Sequence, residues 1–131
     1  MIVGIGVDLL NKKRFSQCIC SSKVKSFTKR VYSEEELKEA NKYEVDFKDR
    51  NYYLGTRFAG KEAVFKTLSI SSNFRIELKD IRIINDSNGI PIVELNGKIA
   101  EIAKEKGITR ILISLSYDTD NIIAFATAIA D

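Results

Sequence analysis

Histidine is absent from this chain of 131 residues, and its absence limits the chemistry available. Without an imidazole, the protein lacks the side chain that ordinarily exchanges a proton near neutral pH, and a Ser-His or Cys-His nucleophilic site is excluded. The only two cysteines, Cys18 and Cys20, are too few for a structural zinc site, and we interpret them as reduced thiols. Catalysis by this chain would therefore use carboxylates, lysines, a metal ion or bound water.

Long apolar runs and linker sequences are also missing. No stretch approaches the ~20 apolar residues that cross a bilayer, and the first ten residues lack the basic segment of a signal peptide. We therefore expect a cytoplasmic protein that does not bind a membrane. With a single proline, Pro91, and no Gly/Ser-rich linker, the sequence predicts one domain over residues 1–131.

Acidic residues are scarce in the first 30 positions, where Asp8 is the only one among seven lysines and arginines. The net charge is only +3 because the next stretch, from Glu34 onwards, is rich in acids. The basic segment is either a solvated helix face or a patch that attracts an acidic partner. Nucleic acid fits less well, because only Phe15 and Phe27 offer rings for base stacking within this segment, and we expect no nucleic-acid partner.

Strand-like and helix-like segments are mixed without a βαβ rhythm, which indicates an α+β fold with an antiparallel-rich sheet packed on a long central helix. Ser33 and Glu36 form a capping box, which predicts a helix over 34–41. Helical spacing of Leu54, Phe58 and Leu68 predicts the longest helix over 52–68. The other predicted elements are a strand over 2–10, a helix from the cap at Asn11 to Cys18, strands over 81–84 and 92–95, a helix from the cap at Asn96 to Lys106, and a hairpin of 109–117 and 121–130.

An acidic residue, Asp8, ends the apolar part of the first strand, where acids are rare. Strand alternation places Asp8 on the same face as Gly4 and Gly6. Because that face has no side chains to fill it, either a helix or a ligand is expected to approach closely there. On spacing alone, an aspartate that caps the following turn is the more common explanation, and a functional carboxylate is the alternative.

Charged residues also border the apolar stripe of the long helix. At about 100° per residue, Lys61 falls inside the stripe, Glu62 lies just beyond its edge, and Lys66 follows one turn later. A Glu–Lys pair at this spacing is usually surface support worth about 0.2–0.5 kcal/mol, and a lysine stem can snorkel to water. The alternative is phosphate chemistry. Two carboxylates bind Mg²⁺ well, and the neighbouring cations Arg57, Lys61 and Lys66 can neutralise phosphate oxygens.

Two segments carry a resemblance to a known family: Gly4-Ile5-Gly6-Val7-Asp8, and Arg57-Phe58-Ala59-Gly60-Lys61-Glu62-Ala63-Val64-Phe65-Lys66. Supporting segments follow in order along nearly the whole chain, namely Arg14, Asp80-Ile81, Gly89-Ile90-Pro91 and Ser114-Leu115-Ser116-Tyr117-Asp118. Together they resemble the motifs of the holo-acyl-carrier-protein synthases, which are 4′-phosphopantetheinyl transferases. The resemblance implies transfer of 4′-phosphopantetheine from coenzyme A to a serine of apo-acyl-carrier protein, with release of adenosine 3′,5′-bisphosphate, in fatty-acid biosynthesis.

The resemblance also implies roles for individual residues. Asp8 and Glu62 would bind Mg²⁺, and Lys66 would bind the coenzyme A pyrophosphate and stabilise charge on the leaving group. The serine proton would go to Glu62 or to a metal-bound water. The other implied contacts to coenzyme A are at Arg57, Lys61, Gly89, Pro91, Ser116 and Tyr117.

An acidic acyl-carrier protein is the implied partner of the basic segment. Arg14 matches the family's carrier-contacting arginine, and charge alone adds Lys12, Lys13, Lys23 and Lys25. The family further implies a homotrimer with active sites at the subunit interfaces.

This chain departs from the family in three places: Tyr117 stands where a histidine is usual, Ser69–Ser72 stands where a glycine-rich turn is usual, and Gly60 stands where an alanine is common. The alternatives are a non-catalytic module that binds acyl-carrier protein and a small metal-dependent phosphohydrolase.

Overall fold

The computed structural model describes residues 1–19, 24–43, 47–71 and 76–131. Its helices and antiparallel strands confirm the predicted α+β class. In chain order the elements are β1 (Ile2–Asn11), α1 (Lys12–Ile19), α2 (Val24–Val31), α3 (Glu34–Asn41), α4 (Phe47–Thr67), a 3₁₀ turn (Leu78–Asp80), β2 (Ile81–Asn85), β3 (Pro91–Leu95), α5 (Gly97–Glu105), β4 (Arg110–Tyr117) and β5 (Asn121–Ile129).

The described strands form two antiparallel sheets rather than one. In the larger sheet β5 lies between β1 and β4, so that Ala124 pairs with Asp8 on one side and with Leu115 on the other. The strands β2 and β3 form a separate hairpin. Helix α4 packs across β1 and β5 of the larger sheet, as the predicted central helix should.

Small residues allow α4 to lie directly on the sheet. Alternate positions of β5 are buried, and three of them are alanines: Ala124, Ala126 and Ala128. On β1, a Cβ added to Gly4 would collide with the carbonyl oxygen of Thr67, and one added to Gly6 with that of Ala63. The glycine face of β1 is therefore covered by a helix, which decides between the two possibilities left open by the sequence.

A second apolar cluster joins the first helices to α4. Phe15 and Tyr32 are buried against Leu54, and the Tyr32 hydroxyl donates a hydrogen bond of 2.7 Å to the Leu54 carbonyl oxygen. The capping box of α3 is present with both of its hydrogen bonds. None of the helices in the described ranges combines the length and the apolar character that crossing a membrane requires.

Four points of the element prediction need correction. Helix α2 and the 3₁₀ turn were missed, and α4 begins at Phe47, five residues before the predicted start at Tyr52. Asn96 occupies the N-cap position of α5, but its side chain makes no capping hydrogen bond. Its backbone N–H instead donates to the Asp80 carbonyl oxygen at 2.9 Å, so the chain entry to α5 is held by a tertiary contact.

Ser69, directly after α4, has φ of +48° and is the one non-glycine residue with positive φ in the described chain. The left-handed conformation costs an L-residue about 1–2 kcal/mol, which glycine avoids. Glycine also gains entropy in the unfolded chain, which cancels part of this advantage. We therefore expect Ser69→Gly to raise the free energy of unfolding by ~0.5–1 kcal/mol. Urea denaturation measures this. Ser26→Gly inside α2 should lower stability instead, and a loss of stability in Ser69→Gly would contradict the expectation.

Candidate functional site

Asp8 and Glu62 come together where β1 passes along α4. The close approach at Gly6 brings the flank of α4 that carries Glu62 and Lys66 next to the end of β1. The Lys66 ammonium donates to the Val7 carbonyl oxygen at 2.8 Å and lies 3.4 Å from Asp8 Oδ1. The Asp8 side chain is 18% exposed and that of Lys66 is 50% exposed, so the cluster opens to solvent. Two carboxylates and one cation thus share a half-buried surface site.

The electrostatics of this site favour a bound cation. Burial raises the pKa of Glu62 above its ordinary value, the negative charge of Asp8 raises it further, and Lys66 opposes the shift. Two carboxylates that are partly desolvated and repel each other are stabilised by a divalent ion. Within the described part of the chain, no group of three or more potential metal ligands is found. The donor set is therefore two carboxylates, which fits Mg²⁺ because that ion retains waters and binds substrate phosphates.

Lys61, for which the resemblance implies a contact with coenzyme A, is engaged inside the protein in this structure. Its side chain is fully buried, and its ammonium donates to Glu36 Oε1 at 2.7 Å, to the Leu78 carbonyl oxygen at 3.1 Å and to the Ile81 carbonyl oxygen. All three N–H donors of the ammonium are used, so none is left for a phosphate. Burial lowers the pKa of Lys61, and the charge of Glu36 counteracts that effect. At this position the resemblance implies a coenzyme A contact, whereas the fold has an internal ion pair between Lys61 and Glu36.

Arg57 is likewise engaged inside the protein. Its guanidinium donates to the Ile83 carbonyl oxygen at 3.3 Å and to Asn85 Oδ1 at 2.9 Å, and it lies 4.4 Å from the ring centre of Tyr53. The residue is 6% exposed. These contacts hold α4 against the β2–β3 hairpin, and a contact of Arg57 with a coenzyme phosphate stays a prediction.

The remaining predicted coenzyme contacts occupy two other places. Gly89, with φ of +80°, lies in the exposed turn between β2 and β3, and Pro91 opens β3 opposite Asn85. Ser116 and Tyr117 lie at the end of β4. Among the described contacts of these four residues, none reaches Asp8 or Glu62. A single chain therefore holds three separate groups of predicted site residues.

A cluster that sequence reasoning missed surrounds Tyr117. Its ring packs against that of Tyr52 with 4.6 Å between the centres, and the Lys12 ammonium lies 5.3 Å from the Tyr52 ring centre and 5.0 Å from that of Tyr117. The pKa of Tyr52 is raised to about 12, mainly by burial and to a smaller extent by the nearby Tyr117. Lys12, attributed to the carrier surface by charge alone, thus faces two rings. Because these residues are far apart in sequence, no local pattern indicates the cluster.

The predicted carrier-binding residues lie on the first helices. Lys13 and Arg14 are exposed on α1, whose first turn is capped by Asn11 through a 2.9 Å bond from the Arg14 backbone N–H. Lys23 lies outside the described residues; Lys25 belongs to α2, but its side chain lies outside the description. Lys29 and Arg30 add exposed positive charge in the last turn of α2.

Comparisons with known proteins agree with the layout of these motifs. Residues 4–126 match the family model of the 4′-phosphopantetheinyl transferase superfamily. The holo-[acyl-carrier-protein] synthase of Clostridium tetani is 38% identical over 127 residues, covering 96% of this chain and 94% of that protein. The corresponding synthase of Anaplasma phagocytophilum is 37% identical, with coverage of 97% and 98%.

Solved structures show the same relationship. The Plasmodium yoelii acyl carrier protein synthase with ADP bound superposes with a TM-score of 0.87 at 32% identity, covering 100% of this chain and 97% of that one. The holo-[acyl-carrier-protein] synthase of Neisseria meningitidis superposes with a TM-score of 0.85 at 29% identity, with coverage of 98% and 99%. The chain therefore belongs to the 4′-phosphopantetheinyl transferase superfamily, and its relatives within it are holo-[acyl-carrier-protein] synthases.

Proposed function

We propose that this chain, as a single domain over residues 1–131, transfers 4′-phosphopantetheine from coenzyme A to a serine of an apo-acyl-carrier protein and releases adenosine 3′,5′-bisphosphate. One observation carries the proposal: Asp8 from the first family motif and Glu62 and Lys66 from the second lie in one half-buried cluster. Fatty-acid biosynthesis and a cytoplasmic location belong to the same proposal.

The cluster supplies the groups that this phosphoryl-type transfer needs. The serine oxygen attacks the phosphorus that bears the pantetheine arm, and the bond from that phosphorus to the bridging oxygen breaks. Lys66 is placed to neutralise charge that develops on the leaving pyrophosphate oxygen. Glu62 is a candidate acceptor of the serine proton, because its raised pKa makes it a better base than an ordinary glutamate. A bound water is the alternative acceptor.

A divalent metal, which we propose to be Mg²⁺, would be held by Asp8 and Glu62. When bound, it would neutralise the two carboxylates and the charge of the coenzyme A pyrophosphate. The Plasmodium yoelii synthase binds ADP, which contains the adenine and diphosphate portions that coenzyme A also has, and this supports coenzyme A as the donor here.

The exposed cations of α1 and α2 support an acidic carrier protein as the acceptor. Arg14 and Lys13 project from α1, and Lys29 and Arg30 extend the charge onto α2. Opposite charges on a partner would steer its approach and orient its serine, with an effect that salt weakens.

We propose a homotrimer with interfacial active sites, which would bring the three separate groups of site residues together across subunits. Support comes from the outer face of the larger sheet, where exposed apolar side chains line all three strands. On this face Val7 pairs with Phe125, which in turn pairs with Ser114. The face consists of Val3, Ile5, Val7, Leu9, Leu112, Ile123 and Phe125. Contiguous apolar surface of this kind marks protein interfaces.

Phe125→Asp should therefore convert the oligomer to monomer, because it introduces a charge at the centre of the apolar face. Light scattering coupled to size exclusion measures the mass. Since Phe125 is 46% exposed in the single chain, the variant should still fold. Tyr43→Asp, at a position that is 39% exposed and lies outside this face, is the control and should leave the mass unchanged. A parent protein that is already monomeric, or a Phe125→Asp variant that stays oligomeric, would contradict the proposed assembly.

The raised pKa of Glu62 predicts the pH dependence of metal binding. A carboxyl with a raised pKa keeps its proton to higher pH than an ordinary glutamate, and the metal competes with that proton. We expect affinity for Mn²⁺, which suits the same oxygen ligands, to fall by up to about tenfold per pH unit once the pH drops below the Glu62 pKa. Calorimetric titration from about pH 7 down to about pH 4, below the ordinary pKa of a glutamate, measures this. Constant affinity over that range would contradict it.

Release of adenosine 3′,5′-bisphosphate tests the proposed reaction. The protein is incubated with coenzyme A and Mg²⁺, with and without an apo-acyl-carrier protein, and the nucleotide is quantified by chromatography. We expect release only when the carrier is present. Release without carrier would point to phosphohydrolase chemistry, and carrier binding without any release would point to a binding module; either result would contradict the transferase.

A further inference from the structure

A buried polar hub lies beside the candidate site, on the flank of α4 next to the one that carries Glu62. The Lys61 ammonium and the Glu36 carboxylate are both 0% exposed and 2.7 Å apart. Beyond this contact, Lys61 donates to the carbonyl oxygens of Leu78 and Ile81. The Glu36 carboxylate also accepts from the backbone N–H of Ser33 at 2.9 Å and of Ile83 at 3.2 Å. One ion pair thus fastens α4 to α3, to the 3₁₀ turn and to β2.

Stability alone is a weak reason for such a pair. Removing two charges from water costs several kcal/mol per ion, and apolar residues of similar volume often replace a buried ion pair without loss of stability. An ion pair does fix the relative position of the two helices that carry it, because a charge that moves away from its partner is left buried and unpaired.

The contact between α4 and the larger sheet combines small and large apolar residues. The small ones are Ala59, Gly60 and Ala63 on the helix, and Gly4, Gly6 and the alanines of β5 on the sheet. Larger side chains, among them Val64, Leu68 and Ile122, pack in the same core. Because apolar contacts are non-directional, they fix the rotation of α4 less sharply than hydrogen bonds to defined partners do.

Small rotations would matter at the site. Glu62 follows Lys61 directly, so the two side chains leave α4 about 100° apart. At an outer helix radius of about 5–6 Å, a rotation of about 10° moves a side-chain group by ~1 Å. A misplacement of ~1 Å can cost about 10²-fold in rate.

From these observations we infer that the Glu36–Lys61 ion pair is a positioning device that fixes the rotation of α4 and so holds Glu62 against Asp8. The inference rests on the proposed function, in which Glu62 binds the metal and assists transfer. Lys61 and Glu36 touch neither substrate in this scheme and act through the backbone of α4. Arg57, one turn before Lys61, provides a second polar contact on the same flank through Asn85.

The test is a double variant, Glu36→Leu with Lys61→Met, which replaces both charges with apolar side chains. Thermal unfolding, the Mn²⁺ dissociation constant of the protein alone, and kcat and KM for the carrier are measured. We expect the thermal midpoint to fall, because backbone groups that bonded to the pair, such as the buried N–H of Ile83 and the carbonyl oxygen of Ile81, lose their partners. We expect the Mn²⁺ dissociation constant to rise about tenfold and kcat to fall about 10- to 100-fold. The KM for the carrier should change less than about threefold.

Ile99→Val is the matched control, since it removes a methyl group from a fully buried residue of α5 and leaves the hub intact. It should lower the thermal midpoint without changing the Mn²⁺ dissociation constant. Should the double variant fail to fold, Glu36→Gln keeps the shape and removes one charge, and it should show the same loss of metal affinity.

Unchanged metal affinity and kcat in a folded double variant, or in Glu36→Gln, would overturn the inference. So would an equal loss in Ile99→Val, which would mean that lower stability alone explains the effect. A parent protein that neither binds Mn²⁺ nor modifies the carrier would instead contradict the proposed function, so the two failures are distinguishable.

Discussion

Glu62→Gln should lower kcat for pantetheine transfer by about 10²–10⁴-fold while the protein stays folded. The amide keeps the volume of the side chain but loses the charge that would bind the metal and the basicity that would accept the serine proton. Asp8→Asn should cause a loss of similar size, because Asp8 is the other member of the proposed metal pair. Initial rates at saturating coenzyme A, apo-carrier and Mg²⁺ provide the measurement.

The same substitution, Glu62→Gln, should not lower the stability of the protein. The raised pKa of Glu62 means that the folded protein disfavours its ionised form, so at neutral pH the charge destabilises the fold and this cost disappears as the pH falls below the folded pKa. Glu62→Gln should therefore match or exceed the parent in thermal midpoint. Glu101→Gln, an exposed position on α5 that pairs with Lys98, is the control and should leave the rate unchanged. A rate within about threefold of the parent for Glu62→Gln would remove this residue from the mechanism.

Gly6→Ala should destabilise the protein by about 3 kcal/mol or more, a large share of the ~5–15 kcal/mol that typically holds a domain folded. Its Cβ would collide with the backbone carbonyl oxygen of Ala63 and come 3.0 Å from the Lys66 Cβ. Helix backbone cannot move aside as a flexible side-chain tip can, so β1 and α4 would have to separate. Urea denaturation of the parent and the variant gives the difference.

The same separation would move Glu62 and Lys66 away from Asp8, so any folded Gly6→Ala protein should also lose metal affinity. Gly107→Ala is a suitable control: Gly107 has φ of +72°, and nothing lies within 4 Å of an added Cβ. This control should cost only the left-handed strain, about 1–2 kcal/mol. If Gly6→Ala were no more destabilising than Gly107→Ala, the close approach of α4 to β1 would be refuted.

Local signals in the sequence predicted much of the fold. The capping box at Ser33, the strand alternation of β1 and the turn around Asp118 were each confirmed at the expected positions. Helix α2 was missed although Val24, Phe27 and Val31 recur at helical spacing, because the segment is only eight residues long and basic. Asn96 stands at the predicted N-cap position of α5, but its side chain makes no capping hydrogen bond, and its backbone N–H bonds to the Asp80 carbonyl oxygen.

The candidate site could be predicted only in part. Periodicity placed Lys61 within the apolar stripe, and its burial follows from that position. Its partner Glu36 lies 25 residues away on another helix, so no spacing rule could identify the ion pair. The meeting of Tyr52 with Tyr117 depends in the same way on how α4 crosses the sheet. Contacts between distant elements arise from packing, and local patterns do not specify them.

The central claim is that Asp8, Glu62 and Lys66 form one site that attaches phosphopantetheine to a carrier serine. Intact-mass spectrometry of an apo-acyl-carrier protein, incubated with this protein, coenzyme A and Mg²⁺, tests it most directly. The account predicts that the parent protein adds one phosphopantetheine group to the carrier, whereas Asp8→Asn, Glu62→Gln and a carrier lacking the acceptor serine give no gain. An unchanged carrier mass with the parent protein, or full modification by both carboxylate variants, would contradict it.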